Sequence, residues 1–268
     1  MVAQKKEKVK AKEMEKEREP GQSGKREKQI DVLGVPVDMV DMEEAAAAFE
    51  GFLAEEGPCR LIVTPNSEIV VRAGKDPELA AVIRRADLVI PDGIGLVYAS
   101  RILGCPLKER VTGIDFLNRA LALLAERGGS VYLLGGKPGV AEAAGEKMLE
   151  AWPGLRLAGT HHGYFGAEEE EARMRAVAET RPELLCVAMG APRQEKLMAA
   201  YRELCGARAA VGVGGSLDVW AGTVKRAPEF YQKHGLEWLY RIVKQPSRLK
   251  RSAALPVFML RVLASRRS

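Results

Sequence analysis

The feature that most constrains this chain is an alternation. Short apolar runs at 60–66, 88–90, 130–136, 155–160, 184–190 and 209–213 are separated by amphipathic stretches, and several of them break on Gly, Asp or Asn. Runs of this length and apolarity read as strands buried on both faces. The intervening stretches, near 41–55, from 76, and at 97–103, 113–127, 140–151, 168–179 and 194–205, carry helical periodicity. Asp41 is placed to cap the first of them, and Asp76 followed by Pro77 to start the second. A shorter segment, 30–37, reads as a strand or hairpin edge. Strands alternating with helices predict an α/β fold, a Rossmann-like, doubly wound parallel sheet covered on both faces. In such sheets ligands sit at the carboxyl ends of the strands.

The strand ends therefore matter most. After 88–90 comes Pro91-Asp92-Gly93-Ile94-Gly95. Pro91 and Gly93 stop a strand, and Gly95 leaves room for close backbone approach. Asp92 thus falls where a carboxylate could take a proton from a substrate hydroxyl. Pro-Asp-Gly is also a favoured turn tripeptide, and on this stretch alone an ordinary turn is the plainer reading. Three other strand ends shift the balance. Gly135-Gly136-Lys137-Pro138-Gly139 resembles a phosphate-cradling turn. Gly190-Ala191-Pro192 permits close approach, with Arg193, Gln194 and Lys196 as donors for an anionic ligand. Gly214-Gly215-Ser216-Leu217-Asp218 repeats the theme, with Asp218 placed for a ribose hydroxyl. Such ends favour a nucleotide-type ligand. None is GxGxxG, which disfavours a dinucleotide-dependent dehydrogenase.

Charge divides the chain. Residues 1–28 hold ten Lys and Arg against six acids, and 221–268 hold eleven against Glu229 and Glu237 alone, whereas 29–220 is acidic. The expected organisation is a charged tail (1–28), an α/β core (29–222) and a basic, amphipathic helical appendage (223–268). A core of this sign does not suit nucleic acid, whereas the appendage suits an anionic membrane surface. The alternative for the appendage is a helix pair packed on the core with a solvated basic face. The apolar run near 253–264 is too short to span a bilayer. Cys59, Cys105, Cys186 and Cys205 show no CxxC spacing, so a reducing, cytoplasmic compartment is expected. His161 and His162, read as neighbours on an extended segment, should point opposite ways. With no other cluster at ligand spacing, no metal is expected, and no cofactor.

Thr64-Pro65-Asn66, Pro91-Asp92-Gly93, Arg110-Val111-Thr112-Gly113, Leu134-Gly135-Gly136, Gly190 to Glu195 and Gly214 to Asp218 occur in this order. The order and content resemble the WecG/TagA/CpsF glycosyltransferase family, from about residue 30 to the end. The basic end is similar to that of the family's branch of N-acetylmannosaminyltransferases of wall teichoic acid synthesis. The resemblance implies transfer of N-acetylmannosamine from its UDP derivative to N-acetylglucosamine on a polyprenyl diphosphate, with inversion and without a metal. It implies a peripheral location at the inner face of the cell membrane. Other branches use donors such as UDP-N-acetylmannosaminuronic acid. Position by position, it implies Asp92 as general base and Thr64 beside the reacting sugar. Asn66, Arg110 and Gln194 match active-site polar positions, and Tyr164 and Asp218 the nucleoside region, Tyr164 near the uracil. Arg241, Arg248 and Arg251 match arginines that meet the acceptor diphosphate. A non-catalytic nucleotide-binding module is the alternative outside enzymology, and the oligomeric state is left open, a homo-oligomer included.

Overall fold

The computed structural model describes residues 29–244 and 254–266. The chain enters through an antiparallel hairpin, β1 (Gln29–Val32) and β2 (Val35–Asp38). It then builds a six-stranded parallel sheet in the order β4-β3-β8-β7-β5-β6. These strands are β3 (Arg60–Val63), β4 (Leu88–Val89), β5 (Ser130–Gly135), β6 (Arg156–His161), β7 (Leu184–Ala188) and β8 (Ala209–Gly212). From β3 the chain moves outward to β4 at one edge, and from β5 outward to β6 at the other. β7 and β8 fill the middle, and a crevice opens at the carboxyl ends where the winding direction changes. The doubly wound parallel architecture expected from the sequence is the one observed.

The two faces of the sheet bury separate cores. Along β7, Leu185 and Val187 join one core while Leu184, Cys186 and Ala188 join the other, as the two-residue period of a strand requires. One face is covered by α1 (Met42–Ala54), α5 (Gly113–Glu126) and α6 (Val140–Ala151), whose Phe49, Phe116 and Met148 are fully buried. The other is covered by the hairpin, α2 (Ser67–Ala73), α3 (Pro77–Arg85), α4 (Ile94–Ile102), α7 (Ala167–Thr180) and α8 (Arg193–Ala200). The caps fall where the sequence placed them. Asp41 accepts from Glu44 N while Glu44 accepts from Asp41 N, and Asp76 accepts from Leu79 N with Pro77 in the first turn.

β4 is only two residues long and sits at an edge, so side chains complete its pairing. Asp87 Oδ2 accepts from Leu61 N at 2.8 Å, and Asp38 Oδ2 accepts from Val89 N at 2.7 Å. The arginines Arg60 and Arg202 balance Asp87. These bonds fix the strand that delivers Asp92.

Two short helices went unread in the sequence: α2 and α9 (Ser216–Trp220). Each starts within a few residues of a strand end, too short for a periodic signal. Beyond α9 lie α10 (Glu229–Lys233), α11 (Glu237–Lys244) and α12 (Ala254–Ser265). α12 packs on α2 and α4, and its Phe258 and Val262 are fully buried in the core. Val257, Leu260 and Leu263 on the same helix are exposed, as are Trp238, Leu239 and Val243 on α11. Among the described residues no helix is long and apolar enough to cross a membrane.

Candidate active site

Three strand ends and one helix start converge. After β3, Thr64 is buried and its hydroxyl donates to Gly212 O of β8 at 3.1 Å, while Asn66 Oδ1 accepts from Ile69 N and caps α2. After β4, Gly93 adopts a φ of 97° that an L side chain resists, and turns the chain from Asp92 into α4. Gly95 is needed for space: a Cβ there would lie 2.0 Å from Ser67 Oγ and 2.9 Å from Leu255 of α12. The start of α5 closes the group. A Cβ on Gly113 would lie 3.4 Å from Thr64 Oγ1 and 3.6 Å from Asp92 Oδ2. The hydroxyl, the carboxylate and the first turn of α5 therefore share one small volume.

That volume is a cleft of about 320 Å3. Thr64, Asn66, Asp92, Arg110, Gly190 and Gln194, all expected at the site, line it. Thr112 caps α5 by accepting from Asp115 N, and donates to Asp115 Oδ2 at 2.5 Å. Burial pushes the Asp115 carboxyl up, but the bonds from Arg226, at 2.7 Å, and from Thr112 outweigh it and hold its pKa below the usual range. The first turn of α5, which borders the cleft, is thus held by an ion pair and a cap.

Gln194 is 3% exposed and its amide makes three hydrogen bonds. Its Oε1 accepts from Gly190 N at 3.1 Å and from Gly214 N at 3.2 Å, and its Nε2 donates to Glu195 Oε1 at 2.8 Å. It ties the turn after β7 to the turn after β8. Burial pushes the Glu195 carboxyl above its ordinary range, and the bond from Gln194 pulls only partly back. The neighbouring cations are spent in the same way, contrary to the expectation of free donors to an anion. Arg193 donates to Gly163 O and Phe165 O, and Lys196 pairs with Asp76 and Glu78.

Four expected residues lie off this cleft. Gly135 and Gly136 form the turn after β5, with φ of 144° and 70°. The turn hugs β7: a Cβ on Gly135 would fall 2.3 Å from Ala188 O, and Gly136 N donates to Ala188 O at 2.9 Å. Tyr164 is 66% exposed, one residue beyond Gly163, whose N–H donates to Gly136 O. Asp218 lies on α9, and its carbonyl accepts from Val224 N. Because β5 neighbours β7, the β5 turn and Tyr164 lie one strand along the same carboxyl edge. Arg241 lies within α11, and Arg248 and Arg251 lie outside the described residues.

The histidine expectation fails. The rings of His161 and His162 are in contact, with centroids 4.3 Å apart, and His162 Nδ1 accepts from Tyr164 N. β6 ends at His161, so the alternation of an extended strand does not reach His162. Among the described residues no group of three or more His, Cys, Asp and Glu is placed to hold a metal ion.

The sequence reading missed the residues that close the cleft. Gly235, Glu237 and Trp238, around the start of α11, and Ala254 and Leu255 of α12 form one wall. Glu237 Oε2 accepts from Arg110 Nη2 at 2.8 Å, with both side chains largely buried. A signal was present, since Glu237 is one of two acids after residue 220.

The sequence profile of the glycosyl transferase WecG/TagA/CpsF family matches residues 30–268. An N-acetylglucosaminyldiphosphoundecaprenol N-acetyl-beta-D-mannosaminyltransferase of Bacillus spizizenii is 35% identical over 234 residues, covering 87% of this chain and 90% of the relative. A Staphylococcus aureus protein of the same name is 33% identical over 239 residues, covering 89% and 93%. With a match this extensive, the chain belongs to the glycosyl transferase WecG/TagA/CpsF family.

Proposed function

We propose that this protein transfers N-acetylmannosamine from UDP-N-acetylmannosamine to N-acetylglucosaminyl-diphospho-polyprenol, with inversion and without a metal. The observation that carries the reading is the meeting of Asp92, Thr64 and the start of α5 in one cleft, in a member of this family. The names of the relatives supply the transferred sugar and the acceptor.

Inversion needs one base and one displacement. An acceptor hydroxyl attacks the anomeric carbon, Asp92 takes its proton, and UDP leaves from the opposite face. Thr64 has spent its proton on Gly212 O, so toward the sugar it can act only as an acceptor. The leaving diphosphate gains charge, and groups already in place must receive it. Backbone N–H groups at the strand-end turn near Gly215, which lines the cleft, and Arg110 are suited to that task. The uridine would lie one strand along, over Gly135, Gly136 and Tyr164, with Asp218 on the same edge. Arg241, Arg248 and Arg251 would meet the acceptor diphosphate. The exposed apolar residues of α11 and α12, among the bases of 223–268, would hold this end against an anionic membrane. The protein would then work at the cytoplasmic face.

Product analysis with a panel of UDP-sugars and a short-chain polyprenyl-diphosphate acceptor tests the proposal. N-acetylmannosamine should transfer best. Asp92→Asn should lower turnover roughly 10²–10⁴-fold while UDP binding persists. Nucleotide binding without transfer of any sugar would refute the enzyme reading and favour a regulatory module.

A further inference from the structure

Glu237 is unusual in where it sits and in what it leaves unbonded. It opens α11 just after Gly235, a turn residue with a φ of 69°. That turn presses on α4: a Cβ on Gly235 would lie 2.8 Å from the Ile94 side chain, two residues beyond Asp92. The Glu237 and Arg110 side chains are 13% and 16% exposed, and their 2.8 Å bond uses only one carboxylate oxygen. Among the described residues the other, Oε1, is buried without a hydrogen-bond partner, on a residue that lines the cleft.

A desolvated carboxylate oxygen with no donor is costly. Here it borders a cleft that admits a ligand, which can supply the donor. The chemistry of that donor is limited. An anion would be repelled, whereas a hydroxyl or amide N–H would be bound, and the bond would be a strong, charge-assisted one. Arg110 does two things for such a contact: it holds the carboxylate in one orientation, and it offsets a negative charge that would otherwise repel a diphosphate. This accounts for a lone buried acid at the start of a helix in so basic a segment.

We propose that Glu237 is a sugar-recognition residue, whose Oε1 accepts a hydrogen bond from a non-reacting hydroxyl of the acceptor hexosamine. The assignment to the acceptor rests on the reading above, in which the segment after residue 223 meets the acceptor.

The test uses full-length protein, UDP-N-acetylmannosamine, and a series of polyprenyl-diphosphate acceptors each lacking one non-reacting sugar hydroxyl. For the wild type, one deoxy acceptor should lose about 10- to 100-fold in kcat/KM, the worth of a hydrogen bond to a charged group. Glu237→Ala should lose a similar factor with the complete acceptor and nothing further with that deoxy acceptor. Glu237→Gln, which keeps an oxygen of the same shape, should fall between them, with UDP affinity unchanged and a thermal midpoint near that of the wild type. If every deoxy acceptor costs Glu237→Ala what it costs the wild type, the contact does not exist. Coupling to a deoxy donor instead would overturn the acceptor assignment. Faster transfer by Glu237→Ala would also overturn the inference, because the ion pair would then be blocking Arg110. A wild-type protein that transfers to no lipid acceptor would instead defeat the reading of the function itself.

Discussion

Replacing Gln194 by Ala separates two roles that the residue's position in the cleft would otherwise confuse. If Gln194 is a strut, its loss orphans Gly190 N and Gly214 N and removes the donor to Glu195. Both glycines are half-buried, so water recovers part of each bond, and about 1 kcal/mol apiece is the reasonable cost. The bond to Glu195 and the contacts of the lost side chain add roughly 1–2 kcal/mol more. The total, about 3–4 kcal/mol, should lower the thermal midpoint by roughly 6–16 °C in a chain of this size. The turns after β7 and β8 should loosen with it, so the KM for the UDP-sugar should rise more than kcat falls. Gln194→Glu, which can still accept both N–H bonds, should keep the KM closer to wild type. Thermal unfolding and steady-state kinetics on the same preparations decide the matter. An unchanged midpoint with a fall confined to kcat would refute the strut and make Gln194 a contact of the reacting sugar.

Three further outcomes are expected. Phe258→Ala should cost about 3–5 kcal/mol in thermal or denaturant unfolding, because Phe258 is fully buried, whereas Leu260→Ala, 68% exposed on the same helix, should change stability little; equal effects would mean that α12 is not docked as described. Glu195 has a raised pKa from burial, so the folded state holds its proton more tightly than the unfolded state and stability should fall as pH rises from the ordinary carboxylate range through the raised value. Glu195→Gln should remove that slope in pH-dependent melts, and an unaltered slope would count against it. Chelators should leave sugar transfer intact, and loss in EDTA that magnesium or manganese restores would show that the leaving diphosphate needs a cation.

Much of this protein could be read from its sequence, and the reasons are local. The apolar runs and caps at Asp41 and Asp76 fixed the strand and helix sequence, because a buried strand and a capped helix each satisfy their own backbone with nearby residues. The position of Asp92 followed from the same logic, since Pro91 and Gly93 end a strand wherever it lies in the sheet. Chain order alone could not show that β8 inserts between β3 and β7, which is what lets the Thr64 hydroxyl reach Gly212 O across 148 positions of sequence. Nor could it show which polar side chains would be consumed internally. Arg193 and Lys196 look like ligand donors in one dimension, but acceptors from distant segments engage them, while the Gln194 carbonyl oxygen accepts from Gly214 N, 20 residues away. Glu237 is the opposite case: in sequence it is an isolated acid in a basic segment, and only packing brings it to Arg110, 127 residues away. Strand ends and caps depend on near neighbours and are written locally, whereas the wall of the cleft depends on long-range packing and burial, which only the tertiary structure decides.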